Sequence, residues 1–128
     1  MRKLFILTAL FFAVIGLQAE QIYKQTKYPN GHIKMEGLFE DGKPVGEIKR
    51  YHENGKLQGI QVFDINGNST AEIYAGDGTL SAIGKYEGHK KVGIWSYFAS
   101  SGYLFMLENY ENGLRQGESL VFSADSTV

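Results

Sequence analysis

The chain has 128 residues, no cysteine and a formal net charge of −1. A disulfide framework and a cysteine-ligated metal or redox centre are thereby excluded. The densest basic group is only Lys85, Lys90 and Lys91, so the clustered positive footprint of a nucleic-acid binder is absent as well.

The first nineteen residues read as a secretory signal peptide. Arg2 and Lys3 precede an apolar run from Leu4 to Leu17, and Leu17-Gln18-Ala19 supplies the small residue before a cleavage point expected between Ala19 and Glu20. That run spans about 21 Å as a helix, short of the ~30 Å hydrocarbon core. A cleaved leader is therefore expected, with a periplasmic or secreted product and no stable membrane insertion afterwards. Removing Arg2 and Lys3 from the 13 basic residues leaves them further outnumbered by the 14 acidic ones. The mature chain, from Glu20 to Val128, has the size of one domain.

Turn signals then recur along the mature chain as Asn30-Gly31, Asp41-Gly42, Asn54-Gly55, Asn66-Gly67, Asp77-Gly78, Glu87-Gly88, Ser101-Gly102 and Asn112-Gly113, at nearly even intervals. Such pairs accept the positive φ angles of tight hairpin turns. Between them lie stretches such as Ile33-Lys34-Met35-Glu36 and Ile60-Gln61-Val62-Phe63, in which apolar and polar residues alternate roughly as half-buried strands require. The pattern predicts about nine short antiparallel strands and no helix. Pro29 and Pro44 sit beside turns, where they interrupt no ladder.

Eight turns at this spacing also suit a sandwich or small barrel; internal likeness selects stacked units instead. Tyr28, Tyr51, Tyr74 and Tyr97 recur at one constant interval, and the units near 28–50, 51–73, 74–96 and 97–122 share a tyrosine, a glycine turn and a second glycine corner. The expected organisation is a leader over 1–19, a repeat domain over 20–122 and a tail over 123–128. An isolated hairpin is marginal in water, so each unit must cover its neighbour. Gly46, Gly93 and Gly117 are expected to let an aromatic ring of the adjacent unit lie on bare backbone. Tyr28, Tyr51, Tyr74, Tyr97 and Trp95 are expected to stack as a ladder.

The phrases Gly46-Glu-Ile-Lys-Arg-Tyr-His-Glu-Asn-Gly55 and Gly93-Ile-Trp-Ser-Tyr-Phe-Ala-Ser-Ser-Gly102 resemble MORN repeats, and more closely the bacterial MORN-variant type. The resemblance covers residues 28 to 122. It implies an all-β, elongated, single-layer antiparallel meander of stacked hairpins that serves as a scaffold or binding surface, with no catalytic residues. Many bacterial proteins of this type are labelled antitoxin-like. The chain departs from the pattern at the tryptophan position, taken by Ile48, Ile73 and Leu120 in three units. Ala71 stands where the second unit's glycine is expected, and that hairpin is expected to be distorted.

Few residues suit chemistry. His32, His52 and His89 lie too far apart in sequence to suggest zinc ligation and stand beside glycine turns. Asp64, Asn66 and Asn68 alternate as calcium ligands do, without the acidic twelve-residue loop. Asn68-Ser69-Thr70 is a glycosylation sequon, relevant in a eukaryotic source only. No metal, cofactor or catalytic site is assigned. The segment that stands out is Tyr103-Leu104-Phe105-Met106-Leu107, apolar at five successive positions, where a one-layer sheet should show polar residues on its open face. Two explanations are open. Either the tail or the second unit folds over it, or Tyr103, Phe105, Met106 and Leu107 form a docking surface for another protein or a second copy.

The expected function is a non-enzymatic exported module that binds a protein in the cell envelope, with self-association through edge strands as a further property. Two alternatives stand beside it. One is an antitoxin-like neutraliser, which export weakens. The other is a small glycan-binding or glycan-processing protein, with Glu36 and Glu108 as acid and base.

Overall fold

The computed structural model describes residues 19–124. The leader expected before Ala19 and the tail beyond residue 124 lie outside the described residues. Within them nine strands, β1 (Gln21–Lys27), β2 (Ile33–Glu40), β3 (Lys43–Tyr51), β4 (Leu57–Phe63), β5 (Ser69–Tyr74), β6 (Leu80–Glu87), β7 (Lys90–Phe98), β8 (Leu104–Glu111) and β9 (Leu114–Val121), form one antiparallel sheet in chain order. Each of the eight glycine signals lies at a strand connection. The all-β, single-layer meander is the observed fold.

The connections are of two kinds. Five share one longer pattern, in which the first residue's N–H donates to the fifth carbonyl and the glycine's N–H donates to the first carbonyl, as in Tyr28/His32 with Gly31 and His52/Lys56 with Gly55. This is a type I turn closed by a left-handed glycine. The other three are two-residue turns. In Asp41-Gly42 and Asn112-Gly113 both residues have positive φ, with Asp41 at 51° and Asn112 at 54°, as a type I′ turn demands. In Gly88-His89 only the glycine does, at 59°, as type II′ demands. Two asparagines of the longer turns, Asn30 and Asn54, have a different task. Asn30 Oδ1 accepts the His32 N–H and Asn54 Oδ1 accepts the Lys56 N–H, while their amides donate to the Glu53 and Gly76 carbonyls of the next turn along, each at 2.8 Å. Each such side chain closes its own turn and ties it to the following one.

The turns on this edge carry Gly31, Gly55, Gly78 and Gly102, whose intervals are not constant, while those of the tyrosines are. The tyrosines are therefore not one structural position. Tyr28 opens a turn, Tyr51 and Tyr74 end strands, and Tyr97 lies one residue before the end of β7. The equivalent of Tyr28 is His52. The Tyr28 hydroxyl donates to the Tyr51 carbonyl at 2.7 Å, and His52 Nε2 lies 3.0 Å from the Tyr74 carbonyl. The expected tyrosine ladder is not formed. Among the described residues the ring pair in contact is Tyr86 against Trp95, edge to face at 5.1 Å and 75°.

Burial in a one-layer sheet must come from side chains lying over their neighbours. Cross-strand pairing joins Gly37, Ile48, Gln61, Ala71 and Gly84, and again Trp95 and Glu108; the Trp95 ring against Gly84 and the Ser119 hydrogen bond to Glu108 carry the row across two register slips, as a spine on one face. Trp95 and Ile48 are 0% and 1% exposed. Each lies across a glycine: a methyl on Gly84 would meet the Trp95 indole at 2.1 Å, and one on Gly37 would meet Ile48 Cδ1 at 2.3 Å. Gly46, Gly93 and Gly117 do something else, because a methyl at any of them meets nothing within 4 Å. They sit at φ of 67°, 68° and 71° where the register slips between β2/β3, β6/β7 and β8/β9, and so form bulges. The ring-on-glycine contact exists, one strand away from where it was expected.

The second unit is the regular one. Ser69 takes the bulge-glycine position, and β4 and β5 pair from Phe63↔Ser69 to Gly59↔Ile73 without a slip. The spine positions expected at Ile73 and Leu120 are held by Ala71 and Ser119. Absence of the glycine removes the bulge, and the hairpin is straight rather than distorted.

Two substitutions separate these roles. Gly84→Ala is expected to lower unfolding free energy by about 3 kcal/mol, since a rigid indole and a backbone cannot both give way, whereas Gly93→Ala costs about 1 kcal/mol from its left-handed φ alone. Urea unfolding of the two variants measures the difference, and equal costs would contradict the assignment.

Candidate functional site

The segment singled out by composition lies at the C-terminal end of the sheet. Tyr103 closes the turn before β8 and is 37% exposed, while Leu104, Phe105, Met106 and Leu107 are half-buried in β8. Neither the second unit nor the described part of the tail folds over them. Instead β9 pairs alongside, with Met106↔Val121 and Leu107↔Leu120, and the Phe122 N–H extends the ladder to the Phe105 carbonyl at 2.7 Å. The exposed apolar groups of this corner are Leu120 and Val121 at 56% and 71%, while Leu114, 67% exposed, lies at the other end of β9 opposite Glu111. The sequence reading found the strand and not what lies beside it, because Leu120-Val121-Phe122 is a short apolar run in a polar neighbourhood and acquires meaning only when paired with Leu107, Met106 and Phe105.

On the spine face the same end carries a polar cluster. Glu108, 8% exposed, occupies the spine position that glycine fills in the first and third units. Tyr110 donates its hydroxyl to Oε1 at 3.0 Å, and Arg115 and Ser119 of β9 donate to Oε2 at 3.3 Å each. Burial raises the Glu108 carboxyl, and the hydrogen bonds from Tyr110, Tyr97, Arg115 and Ser119 outweigh it, leaving the group below the usual carboxylate range. Lys91 stands over this end of the spine, its ammonium 4.5 Å from the Trp95 ring, 5.0 Å from Tyr110 and 5.7 Å from Tyr97, and donates to the Tyr97 hydroxyl at 3.2 Å. Burial, then hydrogen bonding to Tyr110 and Glu108, holds the Tyr97 phenol well above its ordinary range. The cluster fixes the last strand to the sheet by charge-assisted hydrogen bonds. Nothing in the sequence announced it, since its members lie on three strands.

A second carboxylate cluster lies at the other end, on the opposite face. Glu36 accepts the hydroxyls of Tyr23 and Tyr51. These bonds, Tyr23's foremost, lower the Glu36 carboxyl, and Glu36 in turn pushes the Tyr51 phenol up to about 12. Glu36 and Glu108 are thus six strands apart, about 29 Å at ordinary strand spacing, on opposite faces, and both are held ionised. They are not brought together as an acid and base pair.

The remaining candidates are engaged in turns. His32 packs against Gly55, where a methyl would meet its Nδ1 at 2.4 Å, and His52 serves the Tyr74 carbonyl. Asp64 Oδ1 accepts the N–H groups of Asn66 and Asn68, and Asn68 Oδ1 accepts the Gly88 N–H at 3.2 Å. Among the described residues no three His, Asp or Glu side chains gather as a metal site would require.

Residues 44–64, which comprise nearly all of β3, its turn and β4, match the MORN repeat variant family. The matched span holds Gly46-Glu-Ile48, Tyr51 and Asn54-Gly55, and it supports a MORN-repeat identity. No curated protein and no solved structure matches the chain.

Glu108→Gln is expected to cost about 2 kcal/mol, the worth of hydrogen bonds to a charged acceptor. Because the folded carboxyl lies below its ordinary value of 4.5, its contribution is complete above that value and is lost as pH falls through the folded one. Urea midpoints from about pH 7 down to about pH 3 should therefore fall less steeply in the variant than in the parent protein. Parallel curves would contradict the role of Glu108.

Proposed function

We propose that the chain is a non-enzymatic, exported repeat protein that acts as a protein-binding or scaffold module in the cell envelope. MORN repeats are generally associated with protein or membrane binding. The observation that carries the protein-binding reading is the C-terminal corner of the sheet. There Leu120 and Val121 stand exposed beside the half-buried Leu107 and Met106 of β8, on an edge strand with no further strand beside it among the described residues. An apolar patch on a sheet edge is the chemistry of strand addition, in which the main chain gives affinity and alternate side-chain pockets give specificity.

Further support is architectural. A sheet one layer thick has no interior in which to exclude water from reacting groups, and the clustered carboxylates Glu36 and Glu108 are far apart on opposite faces. Export rests on the leader pattern of the sequence and is tested by the N-terminal residue of the mature product, expected to be Glu20.

Because Phe105 and Met106 are half-buried, the exposed Leu120 and Val121 are the better sites to test. Mature protein carrying Leu120→Asp and Val121→Asp should keep its β-sheet circular dichroism and fail to retain the envelope proteins that the parent retains on a column. Equal retention by both would rule out this surface.

A further inference from the structure

The spine carries its large apolar residues in the first and third units, at Ile48 and Trp95. In the second unit it carries Ala71, 6% exposed, beside Gly84 and Ala82. On the same face, Arg50 pairs with Gly59, which has no side chain, and Gly59 pairs with Ile73. The result is a depression of about 280 Å³ over the second hairpin, lined by Arg50, Gly59, Gln61, Ala71, Ile73 and Tyr86. Drug-sized sites run to ~300–1,000 Å³, so this one has room for a single aromatic or branched side chain.

Its rim holds two donors with capacity left. The Arg50 guanidinium gives one N–H to Gln61 Oε1 at 3.0 Å, and among the described residues no carboxylate pairs with it. The Tyr86 hydroxyl has no hydrogen-bond partner among the described residues, although its ring is fixed against Trp95. Burial raises the Tyr86 phenol and the charge of Arg50 opposes the rise, so the two groups feel one another. The acidic residue of the lining, Glu72, alternates with Ala71 and Ile73 along β5, and its Oε2 accepts the Tyr74 hydroxyl at 2.7 Å. A positive charge and a neutral hydroxyl, both donors, thus overlook an apolar floor in a chain whose mature form is net acidic.

We infer that this depression is a binding site for a carboxylate borne on one aromatic or branched apolar group, with the apolar group on Gly59, Ala71 and Ile73 and the carboxylate between Arg50 and Tyr86. Planar guanidinium and carboxylate match as a two-pronged pair, and the apolar body supplies the burial. Such a ligand is either a free amino-acid-sized acid or the carboxyl end of a peptide with an apolar last residue. The site is separate from the β8–β9 corner and goes beyond the function proposed for it.

Backbone amide NMR of the mature protein titrated with N-acetylphenylalanine tests the assignment. Shift changes should centre on Gly59, Ala71 and Tyr86, with a dissociation constant on the order of a millimolar. Arg50→Gln, at an exposed position, should weaken binding at least about tenfold. N-acetylphenylalaninamide, which lacks the charge, and acetate, which lacks the ring, should both bind more weakly. Tighter binding of a hexapeptide ending in phenylalanine would identify a chain end as the ligand; equal or weaker binding would identify the free acid. No response up to about 10 mM, equal affinity for the amide, or an unaltered response in Arg50→Gln would overturn the inference. The Leu120 and Val121 variants leave this site untouched, so the two surfaces succeed or fail independently.

Discussion

The indole of Trp95 lying on the bare backbone of Gly84 is the contact on which this one-layer sheet turns. A sheet with no opposing layer cannot bury a side chain between two surfaces, so a large group must find its cover within its own plane of neighbours. Here the glycine provides the floor, Tyr86 the wall and the Lys91 ammonium the lid, and the indole nitrogen is satisfied by the Lys85 carbonyl at 3.2 Å. Ile48 over Gly37 repeats the device on a smaller scale. Along the spine the sizes are complementary in every hairpin, but the order reverses. Gly37/Ile48 and Gly84/Trp95 place the small residue first, whereas Gln61/Ala71 and Glu108/Ser119 place it second. What the stacked repeat keeps is one small residue in each facing pair, and that leaves the other free to be apolar or polar.

The polar pairs fall where apolar cover is weakest. Glu108 is on the penultimate described strand, with only β9 beyond it, and a ring placed there would have no further neighbour to lie under. A carboxylate needs donors instead of cover, and Arg115 and Ser119 of β9 with Tyr110 and Tyr97 supply them. The same substitution of hydrogen bonding for packing occurs at Gln61, whose amide donates to Ser69 Oγ at 2.8 Å. It is this exchange that empties the second unit of bulk and opens the depression beneath Arg50.

The strand count and order were legible in the sequence because turn signals are local: a left-handed corner favours glycine, or asparagine and aspartate beside it, wherever it falls. The repeat register was less so. Evenly spaced tyrosines look like one position, but the turns advance unevenly, and Tyr28 shares its place with His52. A side chain's role follows its turn, not its residue type. The bulge glycines were also misread, since Gly93 with Trp95 two residues on suggests a ring over that glycine, while the bulge between them carries the indole to Gly84 on the neighbouring strand. Glu108 was singled out only as a partner for Glu36 in acid and base chemistry, not as the anchor of the last strand. Its burial depends on donors two, seven and eleven positions away, brought together by pairing that no single stretch encodes.

Nine, the number of strands among the described residues, is odd, and in an antiparallel meander an odd number sends the two outermost strands, β1 and β9, in the same direction. A copy added by simple translation would set β1 against β9 with parallel polarity, the less stable pairing and one that the alternation in this chain never uses. An antiparallel seam that keeps the spine faces of both copies on one side of the joined sheet can form only between like edges, β1 with β1 or β9 with β9, about a two-fold axis. Either seam alone stops at a pair of molecules. Unlimited growth with one common face would need both to be self-complementary at once, so the parity of the strands is a guard against polymerisation of that kind.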